Sequence, residues 1–228
     1  MTDVALTSWV DVPAGHDFPL ANLPFGIFST SDRSPRPGVR LGDQVLDLSA
    51  LHALGMLNDL GLTVDALATP VLNPLMKLGK PVTVALRQRL QALMAADCAE
   101  LRDRTDLHAS CLVPAFAVTM HMPVEVGDYT DFYSSEDHAR NVGKMFRDPD
   151  NALLPNWKHM PVGYHGRASS IVVSGTPLRR PMGQTRPDSE APPVFGSSRL
   201  VDFELEMAFI TFDGKPLGER ITTAEAED

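Results

Sequence analysis

Two short segments of this chain carry most of the residues that can do chemistry. The first is DFELEM at 202–207, in which carboxylates alternate with apolar side chains. Alternate side chains of a β-strand point to opposite faces, so Asp202, Glu204 and Glu206 are predicted to share one face while their neighbours pack into the core. Grouped carboxylates repel one another unless a cation is present, and oxygen ligands suit Ca²⁺ or Mg²⁺. An edge strand with a solvated acidic face is the alternative.

The second segment is GDYTDFYSSEDH at 127–138. One of its two serines can cap a helix that begins there, which places His138 in the first turn. The positive end of the helix dipole disfavours a charged ring, and a general base must be uncharged. Asp131 and Tyr133 lie on the loop that leads to this helix, where both can face the same cavity. The alternative is a histidine that is only a surface or capping residue.

Two further segments offer ligand-binding groups. Arg147 comes after the helix and can bind an acidic substrate, or it can pair with a neighbouring aspartate on the surface. In GYHGR (163–167), glycines flank Tyr164 and a histidine, as expected where the backbone turns tightly beside a ligand; an ordinary turn is the alternative. The chain has no GxSxG, GxGxxG or Walker motif, which argues against a serine hydrolase, a dinucleotide site or an ATP site.

The composition narrows the class of protein. The chain has 228 residues, 43% of them hydrophobic and 21% charged, as in ordinary globular proteins. A formal net charge of -9 argues against a nucleic-acid partner. Two cysteines without a CxxC pattern indicate a reducing compartment, and no apolar run reaches the roughly 18 residues that span a membrane. We therefore expect a cytoplasmic protein that binds neither nucleic acid nor a membrane.

Along the N-terminal half of the sequence, patterns typical of strands come first and patterns typical of helices follow. Residues 25–30 and 37–49 have short apolar runs, and the second run is broken at Gly42, which predicts a hairpin turn. Ser49 is predicted to cap a short helix. A longer helix is predicted over 82–101, with an apolar face that packs in the core or, alternatively, binds a partner. That face consists of Val82, Leu86, Leu90, Leu93, Met94 and Leu101.

The C-terminal half has a different pattern. Glycine and proline become frequent, and residues 169–175 and 199–212 are strand-like. We therefore predict an N-terminal domain at 1–120 and a second domain at 121–228. Residues 222–225 have a capping-box pattern, which marks the start of a helix, yet the sequence stops three residues later. We expect from this that the chain is truncated.

Taken together, these segments are more specific than any one of them. In their order and spacing they resemble the fumarylacetoacetase family, and the resemblance extends from about Ser8 to the end of the chain. The segments that carry the resemblance are DFPLANLPFGIFST, GVRLGDQVLDLSAL, GDYTDFYSSEDHARNVGKMFR, NALLPNWKHMPVGYHGRASSIVVSGTP, RRPMGQTRPD and DFELEMAF.

The resemblance implies an α+β, β-dominated fold. It implies a small N-terminal SH3-like β-barrel domain with helices, and after it the first part of a mixed β-roll catalytic domain. It also implies hydrolysis of the carbon–carbon bond of 4-fumarylacetoacetate, the last step of tyrosine and phenylalanine breakdown. Members of the family form homodimers, largely through the second domain.

The resemblance also assigns roles to individual residues. Three residues match the family's ligands for Ca²⁺ or Mg²⁺. Asp202 is not among them, so the strand face of three carboxylates predicted above contains one residue that is not a ligand. One residue matches the base that activates water, and three match residues that hold the diketo acid. The metal ligands are Asp131, Glu204 and Glu206; the base is His138; the substrate-binding residues are Tyr133, Arg147 and Tyr164.

The family continues for roughly as many residues again, and that part supplies a fourth metal carboxylate and a lysine. Two alternative functions therefore stay open. One is a related acylpyruvate or β-diketone hydrolase, and the other is a catalytically incomplete unit that serves in folding or interaction.

Overall fold

The computed structural model describes residues 6–160, 162–186, 188–211 and 214–227. The chain forms two compact units, one made of residues 1–123 with 173–228 and the other of residues 124–172. The predicted division between residues 120 and 121 stays a prediction. The predicted α+β class is confirmed, since both helices and antiparallel strands build the chain.

The first unit contains a five-stranded antiparallel sheet. Its order is β4-β3-β2-β1-β5. The strands are β1 (Phe25–Ser29), β2 (Arg36–Leu41), β3 (Gln44–Asp47), β4 (Leu112–Pro114) and β5 (Thr119–His121). β2 and β3 form the hairpin predicted at Gly42, whose φ of 53° is a conformation that glycine adopts without strain.

Both faces of this sheet are covered. Phe28 on β1, Val45 on β3 and Val113 on β4 form a buried cluster. Ile27 and Val39, which alternate with these positions, are also fully buried. Burying an apolar side chain of this size contributes about 1.5 to 3 kcal/mol, so the alternating pattern fixes the register of the strands.

Among the described residues, six helices accompany the sheet. They are α1 (Leu48–Ala53), α2 (Val64–Leu67), α3 (Asn73–Met76), α4 (Lys80–Met94), α5 (Ala99–Arg102) and α6 (Thr105–Cys111). The predicted helix over 82–101 is wrong in its extent, because α4 ends at Met94. Ala95 is extended and forms an isolated bridge with Ser8, and the Trp9 side chain donates to the Leu93 carbonyl oxygen. The N-terminal segment thus takes over the main-chain pairing that would have continued the helix.

The apolar face of α4 packs in the core, as expected. Leu86, Leu90, Leu93 and Met94 have no exposed surface, and Leu101 is equally buried from α5. Cys98 and Cys111 are free thiols, and burial raises the pKa of Cys111.

Asp47, and not the predicted Ser49, caps α1. The Asp47 side chain accepts a hydrogen bond from the Ala50 N–H at 3.0 Å. Its other carboxylate oxygen accepts from Arg33 at 3.0 Å, with Arg36 at 3.7 Å. Ser49 instead donates to the Leu67 carbonyl oxygen of α2. Because Asp47 is only 1% exposed, this buried carboxylate joins the sheet to the first helix.

The second unit is small. Its elements are β6 (Thr130–Phe132), α7 (Glu136–Phe146) and β7 (Gly163–His165), with 3₁₀ turns at Pro149–Asn151 and Ala168–Ser170. β6 and β7 are antiparallel, and Asp131 lies opposite Tyr164. None of the described helices of either unit is long and apolar enough to cross a membrane.

The remaining part of the first unit has one described hairpin and one described short helix. The hairpin consists of β8 (Met182–Thr185) and β9 (Val194–Ser197), and the helix is α8 (Thr223–Glu227). The predicted capping box is confirmed, because Thr222 Oγ1 accepts from the Glu225 N–H while Glu225 Oε2 accepts from the Thr222 N–H.

Both predicted C-terminal strands are wrong in the described residues. Residues 169–175 contain a 3₁₀ turn, and residues 199–211 form no strand; Phe212 lies outside the described part. The expectation that Phe203 and Leu205 pack into the core fails as well, since they are 89% and 98% exposed. An alternating pattern specifies two faces, but a strand also needs a neighbour for its hydrogen bonds.

Candidate functional site

Asp131 is the centre of a hydrogen-bonded cluster on the β6–β7 hairpin. Its Oδ2 accepts a hydrogen bond from the Tyr164 hydroxyl at 2.7 Å. The same oxygen accepts from the Tyr129 hydroxyl at 3.4 Å. Tyr164 reaches Asp131 because the two residues are cross-strand partners, and Tyr129 reaches it from two residues earlier on the chain. The hairpin therefore fixes one oxygen of this carboxylate.

Two glycines of GYHGR allow these rings to lie close to the backbone. A β-carbon on Gly166 would overlap the Tyr129 ring and lie 2.5 Å from its Cε1. A β-carbon on Gly163 would lie 2.9 Å from the Phe132 ring and 3.0 Å from the Asp131 carbonyl oxygen. Neither glycine has a positive φ, so close approach, and not a tight turn, explains both of them.

A second polar pair closes the same hairpin. His165 Nε2 lies 2.6 Å from Asp128 Oδ1, and that oxygen also accepts from the Tyr129 N–H. The Tyr129 N–H and the His165 ring hold the pKa of Asp128 below its usual value. Both side chains of the pair are 74% exposed, so the pair orients the hairpin more than it stabilises it.

His138 lies in the first turn of α7, as predicted from the sequence. The side chain of Ser135 caps the helix by accepting from the His138 N–H at 3.3 Å. The half-buried imidazole packs edge-on against Tyr133, with ring centroids 5.2 Å apart. The cap and the aromatic contact fix the ring at the N-terminal end of the helix, where it is partly accessible for proton transfer.

Arg147 lies just past the C-terminal end of α7. One of its guanidinium nitrogens donates to the Ala152 carbonyl oxygen at 3.0 Å. Among the described residues, Arg147 forms no ion pair with Asp148 or Asp150. The structure therefore does not have the surface pair that was the alternative. The side chain is exposed, and a guanidinium has further N–H donors for a carboxylate.

Glu204 and Glu206 lie in the irregular segment 199–211 of the first unit, and both are exposed. Asp202 in the same segment accepts a hydrogen bond from the Phe203 N–H at 2.8 Å. The assignment of Asp131, Glu204 and Glu206 as metal ligands stays a prediction.

Sequence reasoning overlooked Tyr129 and the pair of Asp128 with His165. The available signal was the spacing of two between Tyr129 and Asp131, which places both side chains on one face of a strand. The register with β7 was not accessible from the pattern, because residues 163–165 are too short to show alternation.

Known proteins match this chain over almost its whole length. Residues 21–123 match the family described as fumarylacetoacetase N-terminal. A fumarylacetoacetase of Homo sapiens is 51% identical over 222 residues, which is 97% of this chain and 53% of that protein. One of Caenorhabditis elegans is 52% identical over 228 residues, covering 98% and 54%. One of Arabidopsis thaliana is 44% identical over 225 residues, covering 98% and 53%. The predicted resemblance is confirmed.

The chain spans about half the length of these fumarylacetoacetases and matches their N-terminal portion. The family match at 21–123 lies within the first unit and covers all five strands of its sheet. The cluster around Asp131 lies beyond that match, in the part that is covered by the longer alignments.

Proposed function

We propose that this chain forms the N-terminal part of an enzyme that hydrolyses the carbon–carbon bond of 4-fumarylacetoacetate to fumarate and acetoacetate, the last step of tyrosine and phenylalanine catabolism. The observation that carries the proposal is the 51% identity to a fumarylacetoacetase over 97% of the chain. The fixed Asp131 carboxylate and the oriented His138 ring support the same reaction.

We propose Asp131, Glu204 and Glu206 as ligands of Ca²⁺ or Mg²⁺. The donor set fits such a cation, because it consists of carboxylate oxygens and Asp131 is held in place by tyrosine hydroxyls. A bound divalent cation supplies Lewis acidity toward the oxygens of a diketone. The three carboxylates fall short of the roughly six to eight oxygens of a Ca²⁺ site, so further ligands are part of the proposal.

The side chains have separate tasks in this proposal. His138 accepts the proton of the attacking water, for which its position in the first turn of a helix keeps the ring suitably oriented. Arg147 binds a carboxylate of the diketo acid through the donors that do not engage Ala152. Tyr133, which follows β6 and contacts the His138 ring, and Tyr164 on β7 are proposed to hold the substrate beside these groups.

The finer structural expectations belong to the same proposal. We propose that the antiparallel sheet of the first unit is an SH3-like barrel and that the later residues form the first part of a β-roll. A homodimer in a reducing, cytoplasmic compartment is also proposed; the two free thiols are compatible with that compartment.

The test is turnover of fumarylacetoacetate, measured as loss of diketone absorbance after chelator treatment and re-addition of Ca²⁺ or Mg²⁺. His138→Ala is expected to lower the rate by about 10²- to 10⁴-fold, since a general base contributes a factor of that size. His159→Ala is the matched control, because His159 is an exposed histidine of the same unit.

The outcomes separate the candidate functions. Turnover of an acylpyruvate without turnover of fumarylacetoacetate would favour the related β-diketone hydrolase. Full activity of His138→Ala would remove the histidine from its role as base. Activity of the 228-residue chain that is lost in His138→Ala would rule out a unit that serves only in folding or interaction.

A further inference from the structure

Both tyrosine hydroxyls on Asp131 converge on the same carboxylate oxygen. Tyr164 donates to Oδ2 at 2.7 Å and Tyr129 at 3.4 Å. Among the described residues, the hydrogen bonds that involve the Asp131 side chain all end on Oδ2. The two oxygens of this half-buried carboxylate are therefore in different states: one is engaged by two donors, and the other is available as an acceptor.

The arrangement is built into the backbone and does not depend on a chance rotamer. Gly166 leaves no room for a β-carbon beside the Tyr129 ring, so the ring lies directly on the main chain at the end of β7. The Asp128 carboxylate holds the Tyr129 N–H and the His165 ring together. Tyr164 is fixed opposite Asp131 by the strand register.

We propose that Tyr129 and Tyr164 restrict Asp131 to binding a cation through Oδ1 alone, and that this restriction sets the preference between Mg²⁺ and Ca²⁺. The inference rests on the proposed role of Asp131 as a ligand. Mg²⁺ requires near-octahedral geometry with short bonds and accepts carboxylates through single oxygens, whereas Ca²⁺ accepts one or both oxygens of a carboxylate. A carboxylate with one oxygen engaged favours the smaller ion.

Tyr129 is accordingly a positioning residue, and Tyr164 has a second task beside substrate binding. When both hydroxyls are removed, Oδ2 becomes available and the carboxylate can take the larger ion with both oxygens. Ca²⁺ binding is then retained or strengthened, while Mg²⁺ binding weakens because the ligand is no longer held. A purely structural role of the tyrosines predicts equal losses for the two ions.

The experiment is calorimetric titration of the chain with CaCl₂ alone and with MgCl₂ alone, without substrate. For the double variant Tyr129→Phe with Tyr164→Phe, we expect the ratio of the Mg²⁺ to the Ca²⁺ dissociation constant to rise roughly tenfold, the size of effect of a hydrogen bond to a charged group. Gly166→Ala, which displaces the Tyr129 ring, should shift the ratio in the same direction. The matched control is Thr130→Val, which removes an exposed hydroxyl of the same hairpin. Among the described residues this hydroxyl makes no hydrogen bond to the Asp131 side chain, so the ratio should stay unchanged.

Circular dichroism of each variant confirms that the fold is kept, and Asp131→Asn should abolish the difference between the ions. An unchanged ratio in the folded double variant would overturn this inference while leaving the cation site in place. A wild-type chain that binds neither ion would overturn the cation site itself, and the inference with it.

Discussion

Gly143 lies at the buried side of α7, where the helix meets the residues just after the Pro149–Asn151 turn. A β-carbon on Gly143 would overlap the Ala152 carbonyl oxygen and would lie 2.9 Å from its carbon and 3.2 Å from its Cα. These are backbone atoms, so they cannot move aside as the end of a flexible side chain can. Gly143→Ala is therefore expected to push the turn away from the helix.

Two effects of opposite sign decide the magnitude. Alanine is favoured over glycine in a helix interior by about 1 kcal/mol. Overpacking a closed contact costs roughly 1 to 3 kcal/mol, and direct contact with backbone atoms places this site near the upper end. The net expectation is a loss of about 2 kcal/mol in the free energy of unfolding of the second unit. The Ala152 carbonyl oxygen also accepts from Arg147, so the displacement should disturb that side chain as well.

The measurement is urea unfolding monitored by the fluorescence of Trp157, which lies in the same unit, in a Trp9→Phe background. Gly127→Ala is the control, because a β-carbon at Gly127 meets nothing within 4 Å and its φ is not positive. A Gly143→Ala protein as stable as the wild type, beside a neutral Gly127→Ala, would refute the argument from close approach. It would mean that helix propensity outweighs the contact.

Three further predictions concern caps and charges. Asp47→Ala should lower the free energy of unfolding of the first unit by about 2 to 4 kcal/mol, because it removes a helix cap and the partner of the arginines at a site that is 1% exposed. Ser135→Ala should cost about 1 kcal/mol and reduce the helicity of α7, as measured by circular dichroism. The Lys215 side chain and Thr222 lower the pKa of Glu225 to about 2. Since this folded pKa lies below the unfolded value, α8 should be stable above about pH 4.5 and melt as the pH falls toward 2, which backbone amide shifts can monitor.

Conservative variants provide the controls for these three. Asp47→Asn keeps an oxygen for the Ala50 N–H and should lose less stability than Asp47→Ala. Equal losses in the two variants would contradict the contribution of the helix cap. Ser135→Asp should restore the cap of α7. Glu225→Gln should remove the pH dependence of the stability of α8. An unchanged pH profile in that variant would show that another titrating group is responsible.

Local signals in the sequence predicted local structure well. Gly42 marked the turn between β2 and β3, one of the serines before α7 became its cap, and the Thr222–Glu225 pattern formed the expected pair of hydrogen bonds. Each of these features depends on residues within a few positions of one another, so a short window contains its cause.

Features that depend on distant residues were not predictable in this way. α4 stops at Met94 because Ser8 bonds to its end, and these residues are 86 positions apart. Asp47 and Ser49 are equally good cap residues by type; the choice depends on where β3 ends and on Arg33. At the site, the engagement of Asp131 by Tyr164 depends on strand pairing across 33 positions.

The contact of the Tyr129 ring with Gly166 has a consequence for how this sequence can change over time. Any side chain at position 166 overlaps the ring, and a smaller residue at position 129 would leave a gap above the strand. The two positions are therefore expected to covary: homologues without an aromatic residue at 129 can accept alanine at 166, and those with one cannot. A substitution that adds a side chain at position 166 is therefore expected to occur together with the loss of the aromatic ring at position 129.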